Sequence, residues 1–296
     1  MALGVVACKR PESTGEAAAA PSGSTPTAVA SAIASAQGVA LPLEVIARQV
    51  NRGGLPPYDG PTGKVRGRIT VTGDPPPVVA GTLPPAARCG TEARDTYEKL
   101  FRVGRGGELA DAFIGVTDYK AFVPATEPVV QLTIRGCAFD RRTVALTYGQ
   151  RIEVKNLDPS ERYLPHLDKA QAPVLRMAMP GGDAVPLLPP LPGPYTLVDD
   201  LLHPWMNADV LVLKFATGAV SDTQGSFTID RVPVGSVKVS AMHPHIRQSL
   251  ERTVTIEAGK TTEVNFELTY SKSEAAPPAA PPSGSAAKPT APPVKG

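Results

Sequence analysis

The sequence predicts an all-β fold, and three observations carry that prediction. Apolar and polar residues alternate along many short runs between residues 63 and 270, the period-two pattern of half-buried strands. The 33 prolines and 27 glycines break those runs at short intervals, as turns between short strands require. One stretch alone carries the three-and-four spacing of an amphipathic helix, at residues 43–50.

The chain opens Met1-Ala2-Leu3-Gly4-Val5-Val6-Ala7-Cys8. A small residue stands before Cys8 and an aliphatic one three positions before it, which reads as the end of a lipoprotein signal. Such a signal also has a basic segment and a longer apolar run, so the expectation is a start further upstream and a lipid on Cys8. Residues 1–37 then form a signal remnant and a tether. Residues 10–37 and 271–296 are mostly Ala, Ser, Thr, Pro, Gly and Lys. They hold too little large apolar surface to offset chain entropy, and both ends are expected to be disordered. No run of about 18 apolar residues occurs, so no membrane-spanning helix is expected.

Residues 38–62 read as a short helix and a linker. Leu43, Ile46, Ala47 and Val50 share one helical face, and Gly53-Gly54 with Pro56-Pro57 stop it. Strand patterns follow at Val65/Gly67/Ile69/Val71, Val130/Leu132/Ile134, Val144/Leu146, Ile152/Val154 and residues 209–215. Further on come Phe227/Ile229, Val237/Val239, Val254/Ile256 and Val264/Phe266/Leu268. Asp222-Thr223-Gln224-Gly225 and Val232-Pro233-Val234-Gly235 are tight turns, and Gly104-Arg105-Gly106-Gly107 is a hairpin turn. About ten short strands predict a sandwich or barrel. The proline-rich residues 156–194 form a long excursion at one end of it.

Composition narrows the function. The net charge is +2 and the cations are scattered, so there is no electrostatic footprint for nucleic acid. No His-Glu-x-x-His, Gly-x-Ser-x-Gly or phosphate-binding glycine loop is present, and the chain is expected not to be an enzyme. The three cysteines, Cys8, Cys89 and Cys137, lack zinc-ligand spacing. His243-Pro244-His245 reads as an exposed turn, with metal binding the lesser alternative. Chemistry concentrates in Asp200-Leu201-Leu202-His203-Pro204-Trp205-Met206 and in Asn156-Leu157-Asp158-Pro159 ahead of His166.

These motifs, taken in order, resemble a bacterial exported family that joins a cupredoxin-like domain to a carboxypeptidase-regulatory-like β-sandwich. The resemblance runs over about residues 63–270. It rests on Gly67-Arg68-Ile69-Thr70-Val71-Thr72-Gly73 with Pro75-Pro76-Pro77, on Cys89-Gly90, and on Gly106 to Ala112. It continues through Gly136-Cys137-Ala138-Phe139, Tyr148-Gly149-Gln150 and Asn156-Leu157-Asp158-Pro159, and is most specific at His203-Pro204-Trp205-Met206-Asn207-Ala208. The implied fold is a cupredoxin-like Greek-key sandwich over residues 63–214 and a small regulatory-like sandwich over 215–270. The implied compartment is the periplasm or the outer membrane, as a lipoprotein.

The resemblance also implies a ligand set, which this chain keeps in part. His203 and Met206 stand in register, Asp200 takes the place of the cysteine, and Arg162 and Tyr163 stand where a second histidine belongs, with His166 further on. A blue-copper site needs a soft thiolate, which a carboxylate does not replace. The expected site is thus Asp200, His203, Met206 and His166 as a vestigial copper centre, with Asp200 paired to Arg162. No cofactor is expected, although copper stays possible, and Asp200, His203 and His166 could hold Cu(II) or Zn(II) in a different geometry. The resemblance places Cys89 and Cys137 at matching positions, and in an oxidising compartment the two are expected to pair. The leading function is a non-enzymatic envelope scaffold binding another envelope protein or a polysaccharide, touching membrane only through its lipid. The alternatives are a copper-binding or electron-transfer protein and a carbohydrate-binding module.

Overall fold

A computed structural model describes residues 41–79, 83, 86–168, 170 and 175–274. Cys8 and most of both tails lie outside the described residues. The helix expected at 43–50 is α1 (Leu43–Val50). Two further short helices, α2 (Ala86–Cys89) and α3 (Glu92–Tyr97), follow β1 (Thr62–Gly73). Apart from a 3-10 turn at Lys272–Glu274, the remaining elements are strands, as the alternation predicts. They are β2 (Phe113–Thr117), β3 (Val129–Arg135), β4 (Ala138–Phe139), β5 (Thr143–Thr147), β6 (Arg151–Asn156), β7 (Pro165–Leu167) and β8 (Val185–Leu187). The second half adds β9 (Gly193–Asp199), β10 (Asn207–Leu213), β11 (Gly218–Val220), β12 (Ser226–Pro233), β13 (Gly235–His243), β14 (Ile246–Ile256), β15 (Thr261–Glu263) and β16 (Phe266–Tyr270).

These strands form four sheets that bury two cores. The first sandwich pairs the sheet of β12, β1, β15 and β16 with the sheet β11-β2-β13-β14. Val65, Ile69, Ile114, Ile229, Val239 and Phe266 meet between them. The second sandwich sets β5-β10-β9-β7 against β4-β3-β6-β8, with Leu132, Ile134, Val154, Leu197 and Val210 inside. Its β3 runs parallel to β6, and its β5 parallel to β10. The chain is therefore all-β, with helices only as covers: Val50 of α1 and Ala93 and Tyr97 of α3 are buried against the second core.

The division expected at residue 214 is corrected. β1 pairs with β12, β15 and β16, and β2 pairs with β11 and β13. Strands from residues 62–117 thus complete the C-terminal sandwich, and β3–β10 form a second sandwich inserted between β2 and β11. Alternation shows that a strand is half buried; it does not show which sheet it joins. Consecutive strands pair in roughly two-thirds of cases, which favours the contiguous division that this chain does not follow.

A polar cluster lies where the two sandwiches meet. Arg102 holds Asp111 through a two-pronged ion pair (2.6 and 2.8 Å). Arg142 donates to the Thr96 and Lys99 carbonyls. His243 is buried, not exposed as the His-Pro-His motif suggests, and packs edge-on against Phe101. Phe101 supplies the apolar wall that draws this imidazole inward.

Candidate functional site

The excursion after β6 is shaped by one side chain. Asn156 ends the strand and donates to the carbonyls of Glu161 (2.8 Å) and Ala178 (2.9 Å). Its Oδ1 accepts the Asp158 N–H. This fixes Asp158 as a buried acceptor. Gly136 and Cys137 both adopt left-handed backbone, φ 57° and 54°, and successive N–H groups so turned form a concave anion site. Both donate to the Asp158 carboxylate, at 2.6 and 3.2 Å, and the Tyr163 hydroxyl donates to it as well. Burial, then the hydrogen bond and charge of Asp158, push the Tyr163 phenol far above its ordinary pKa, so it stays a donor.

The loop between β9 and β10 brings His203 against Tyr163. The two rings lie 4.7 Å apart at their centroids. His203 is 1% exposed, and its Nδ1 lies 2.7 Å from Asp199 Oδ2. A carboxylate accepts, so Nδ1 donates. Asp199 also accepts the Leu164 N–H at 2.5 Å, tying the two loops together. Trp205 meets the imidazole edge-on, and its indole N–H donates to the Cys137 carbonyl. The Met206 N–H donates to the His203 carbonyl at 2.8 Å, closing the turn.

The far nitrogen of His203 faces a carboxylate already occupied. Nε2 is buried without a hydrogen-bond partner and lies 3.8 Å from Glu161 Oε2. Arg88 holds both oxygens of Glu161, at 3.0 and 2.9 Å. That fork depresses the Glu161 carboxyl and raises the Arg88 guanidinium. The next residue, Cys89, forms the disulfide with Cys137.

The predicted ligand set divides in two. His203 and Met206 stay on the loop, but Met206 is 1% exposed and belongs to the core. Asp200 turns outward and meets His166, Nδ1 to Oδ2 at 2.5 Å. It does not pair with Arg162; that residue is exposed, and its charge acts on Glu161 instead. Among the described residues no three His, Cys, Asp or Glu side chains come together as a metal-holding group. The donor set does not fit copper: there is no thiolate on the loop, His166 stands beside Asp200 rather than with His203, and the Tyr163 ring lies against His203. Arg88 also places a fixed cation near any ion on Nε2, and Arg cannot shed its proton. Sequence reasoning missed Asp199, Glu161 and Arg88 as partners that organise this end, and it named Asp158 only as part of its motif. The Asn-x-Asp spacing at 156–158 was the one local signal available.

Residues 195–269 match the carboxypeptidase regulatory-like domain family. That match begins within β9 of the inserted sandwich and covers β11 to β16; in space, β1 and β2 complete this unit. Among curated proteins none matches the chain. Several solved copper proteins are similar at low identity. A Cu-containing nitrite reductase from Thermus scotoductus SA-01 is 20% identical over 32% of this chain and 24% of its own, with a TM-score of 0.25. The chain thus spans about a quarter of that enzyme's length. A reduced amicyanin is 15% identical over 33% of this chain and 98% of its own, TM-score 0.25. Auracyanin A, a blue copper protein of Chloroflexus aurantiacus, is 17% identical over 28% and 97%, TM-score 0.24. The regulatory-like family match over residues 195–269 is the one family assignment these comparisons make, and it covers a quarter of the chain.

Proposed function

We propose that this chain is a non-enzymatic binding or scaffold protein of the cell envelope, in which a cupredoxin-like sandwich has had its metal pocket closed by side chains. The observation that carries this reading is His203. Its Nδ1 is spent on Asp199, its face on Tyr163, and its Nε2 looks onto a carboxylate locked by Arg88. A buried histidine held on three sides serves packing and loop geometry.

The Asp199–His203 pair has the look of the orienting half of an acid–base dyad. Opposite Nε2, however, stands the Glu161 carboxylate rather than a hydroxyl or thiol that could be activated. The lipoprotein-like approach to Cys8 and the Cys89–Cys137 bond support an exported protein. The partner class, an envelope protein or a polysaccharide, follows from that location.

A copper-binding reading is favoured by one observation, the unpartnered Nε2 of His203. Loading the protein with excess Cu(II) or Zn(II), desalting it and counting metal per chain separates the two. The scaffold reading expects far less than one ion per chain. One tightly held ion that disappears in His203→Ala would replace it with the metal reading. For location, metabolic labelling with a tagged fatty acid should mark the chain expressed with its upstream sequence. An unlabelled product, or one in which Cys8→Ser leaves the label in place, contradicts anchoring through Cys8.

A further inference from the structure

We infer a second binding surface, on the outer face of the β1 sheet: an open, arginine-walled cleft that takes a carboxylate-bearing polysaccharide. The inference rests on reading the chain as an envelope binding protein, and it gives that reading a ligand class and a face.

The cleft exists because two strands share one side of β1. β15 pairs with Lys64–Arg66 and β16 with Ile69–Gly73, so the chain steps across at Val264–Asn265. At the step Gly67 is obligatory, since a Cβ there would lie 1.8 Å from the Val264 carbonyl oxygen. Asn265 fills the gap in the ladder by accepting the Arg68 N–H at 2.8 Å. The depression left above the step measures 730 Å³.

Its walls are cationic in a regular way. Arg66 and Arg68 line it and, with Lys64 just beyond, point outward at alternate positions of β1, about 6.6 Å apart. Lys64 is paired with Asp230, and Arg66 lies 3.7 Å from Glu263. Among the described residues, Arg68 and Arg252 have no carboxylate at ion-pair distance, although Arg68 is near enough to lower the Glu108 carboxyl. Arg252 reaches in from β14, its guanidinium carbon 5.5 Å from the Phe266 ring centroid. Stacking on an aromatic face limits the motion of a guanidinium and leaves its edge free. Two available forks on an open cleft suit carboxylates, which guanidinium binds through paired hydrogen bonds.

The remaining lining selects among anions. Ser226, Thr228 and Asn265 offer hydroxyl and amide groups that match sugar hydroxyls. Glu263 and Glu267 accept hydrogen bonds from hydroxyls and disfavour a densely charged polyphosphate. A chain rich in hydroxyls with carboxylates at intervals satisfies both sets, whereas a uniformly charged one satisfies the arginines alone.

Affinity electrophoresis of the full chain tests this, with polygalacturonate, dextran and polyphosphate in separate gels. Polygalacturonate should retard the protein, less so as salt rises, and dextran should not. Arg68→Ala and Arg252→Ala should each weaken the retardation constant roughly tenfold. Arg252→Lys should fall between, keeping charge but losing the fork. Both residues changed are exposed, and unchanged thermal unfolding confirms that the fold is intact. No retardation by polygalacturonate, equal retardation by polyphosphate, or retardation that survives the double alanine variant would each overturn the proposal. Metal loading at His203 reads a different site, so its outcome and this one fail independently.

Discussion

Removing the cross-link should destabilise the inserted sandwich by an amount set mainly by chain entropy. Cys89 and Cys137 are 48 residues apart and both are buried. The loop-entropy relation gives about 4 kcal/mol for a loop of that length, a large share of a domain's usual 5–15 kcal/mol. Cys89→Ala with Cys137→Ala is the perturbation, since it leaves no thiol to re-pair. Trp205 is the only tryptophan, and its indole N–H sits on the Cys137 carbonyl, so its fluorescence reads the affected sandwich directly. In urea, with a slope near 2 kcal/mol/M, the midpoint should fall by about 2 M. The native emission should also shift to the red, because α2 loses its tether and Arg88 its fixed approach to Glu161. A loss below about 1 kcal/mol, with emission unchanged, would show that α2 and α3 hold without the bond and would refute this reasoning.

Two further outcomes follow from the buried polar groups. Burial chiefly, with neighbouring cations including Arg142, pushes His243 down to about 3 and His245 down to about 4. The unfolded chain therefore takes up protons first as pH falls from 6.5. Stability should drop by up to about 1.4 kcal/mol per pH unit for each histidine, both between pH 6.5 and 4 and His243 alone below that. Asp209, whose pKa is raised by burial, opposes part of the loss at the acid end. Unfolding curves that are flat from pH 7 to 4.5 would contradict the buried positions. Tyr163→Phe removes the hydroxyl donated to Asp158 and should cost about 2 kcal/mol in the same assay; a change within 0.5 kcal/mol, roughly the noise of surface substitutions, would mean that Asp158 does not need it.

How much of this was legible beforehand differs by level. The helix at 43–50 and most strands followed from local periodicity, because one face of each is buried and the spacing records it. The turn at Asp222–Gly225 was also legible: Asp222 Oδ1 accepts the N–H groups of Gln224 and Ser226, and Asp and Gly are the residues that such a turn needs. The assignment of β1 and β2 to the C-terminal sandwich was not legible, because it depends on pairing partners about 100 to 200 residues away. The site was half legible. Motif order pointed to His203 and to the loss of the thiolate at Asp200. The pairing of Asp200 with His166, and the use of Asp199 by His203, depend on how residues 156–168 fold back over the loop. Neighbouring aspartates at 199 and 200 look alike in sequence, yet one is buried against an imidazole and the other stands at the surface.

His203 is held by protein partners at Nδ1 and on its ring face. Long-range proton–nitrogen NMR of the histidines, before and after one equivalent of Zn(II), tests it most directly. The His203 ring should be protonated at Nδ1 and hydrogen-bonded to Asp199, with nitrogen shifts that Zn(II) leaves in place. A proton found on Nε2 with Nδ1 bare, or a His203 signal that moves stoichiometrically with the metal, would contradict it.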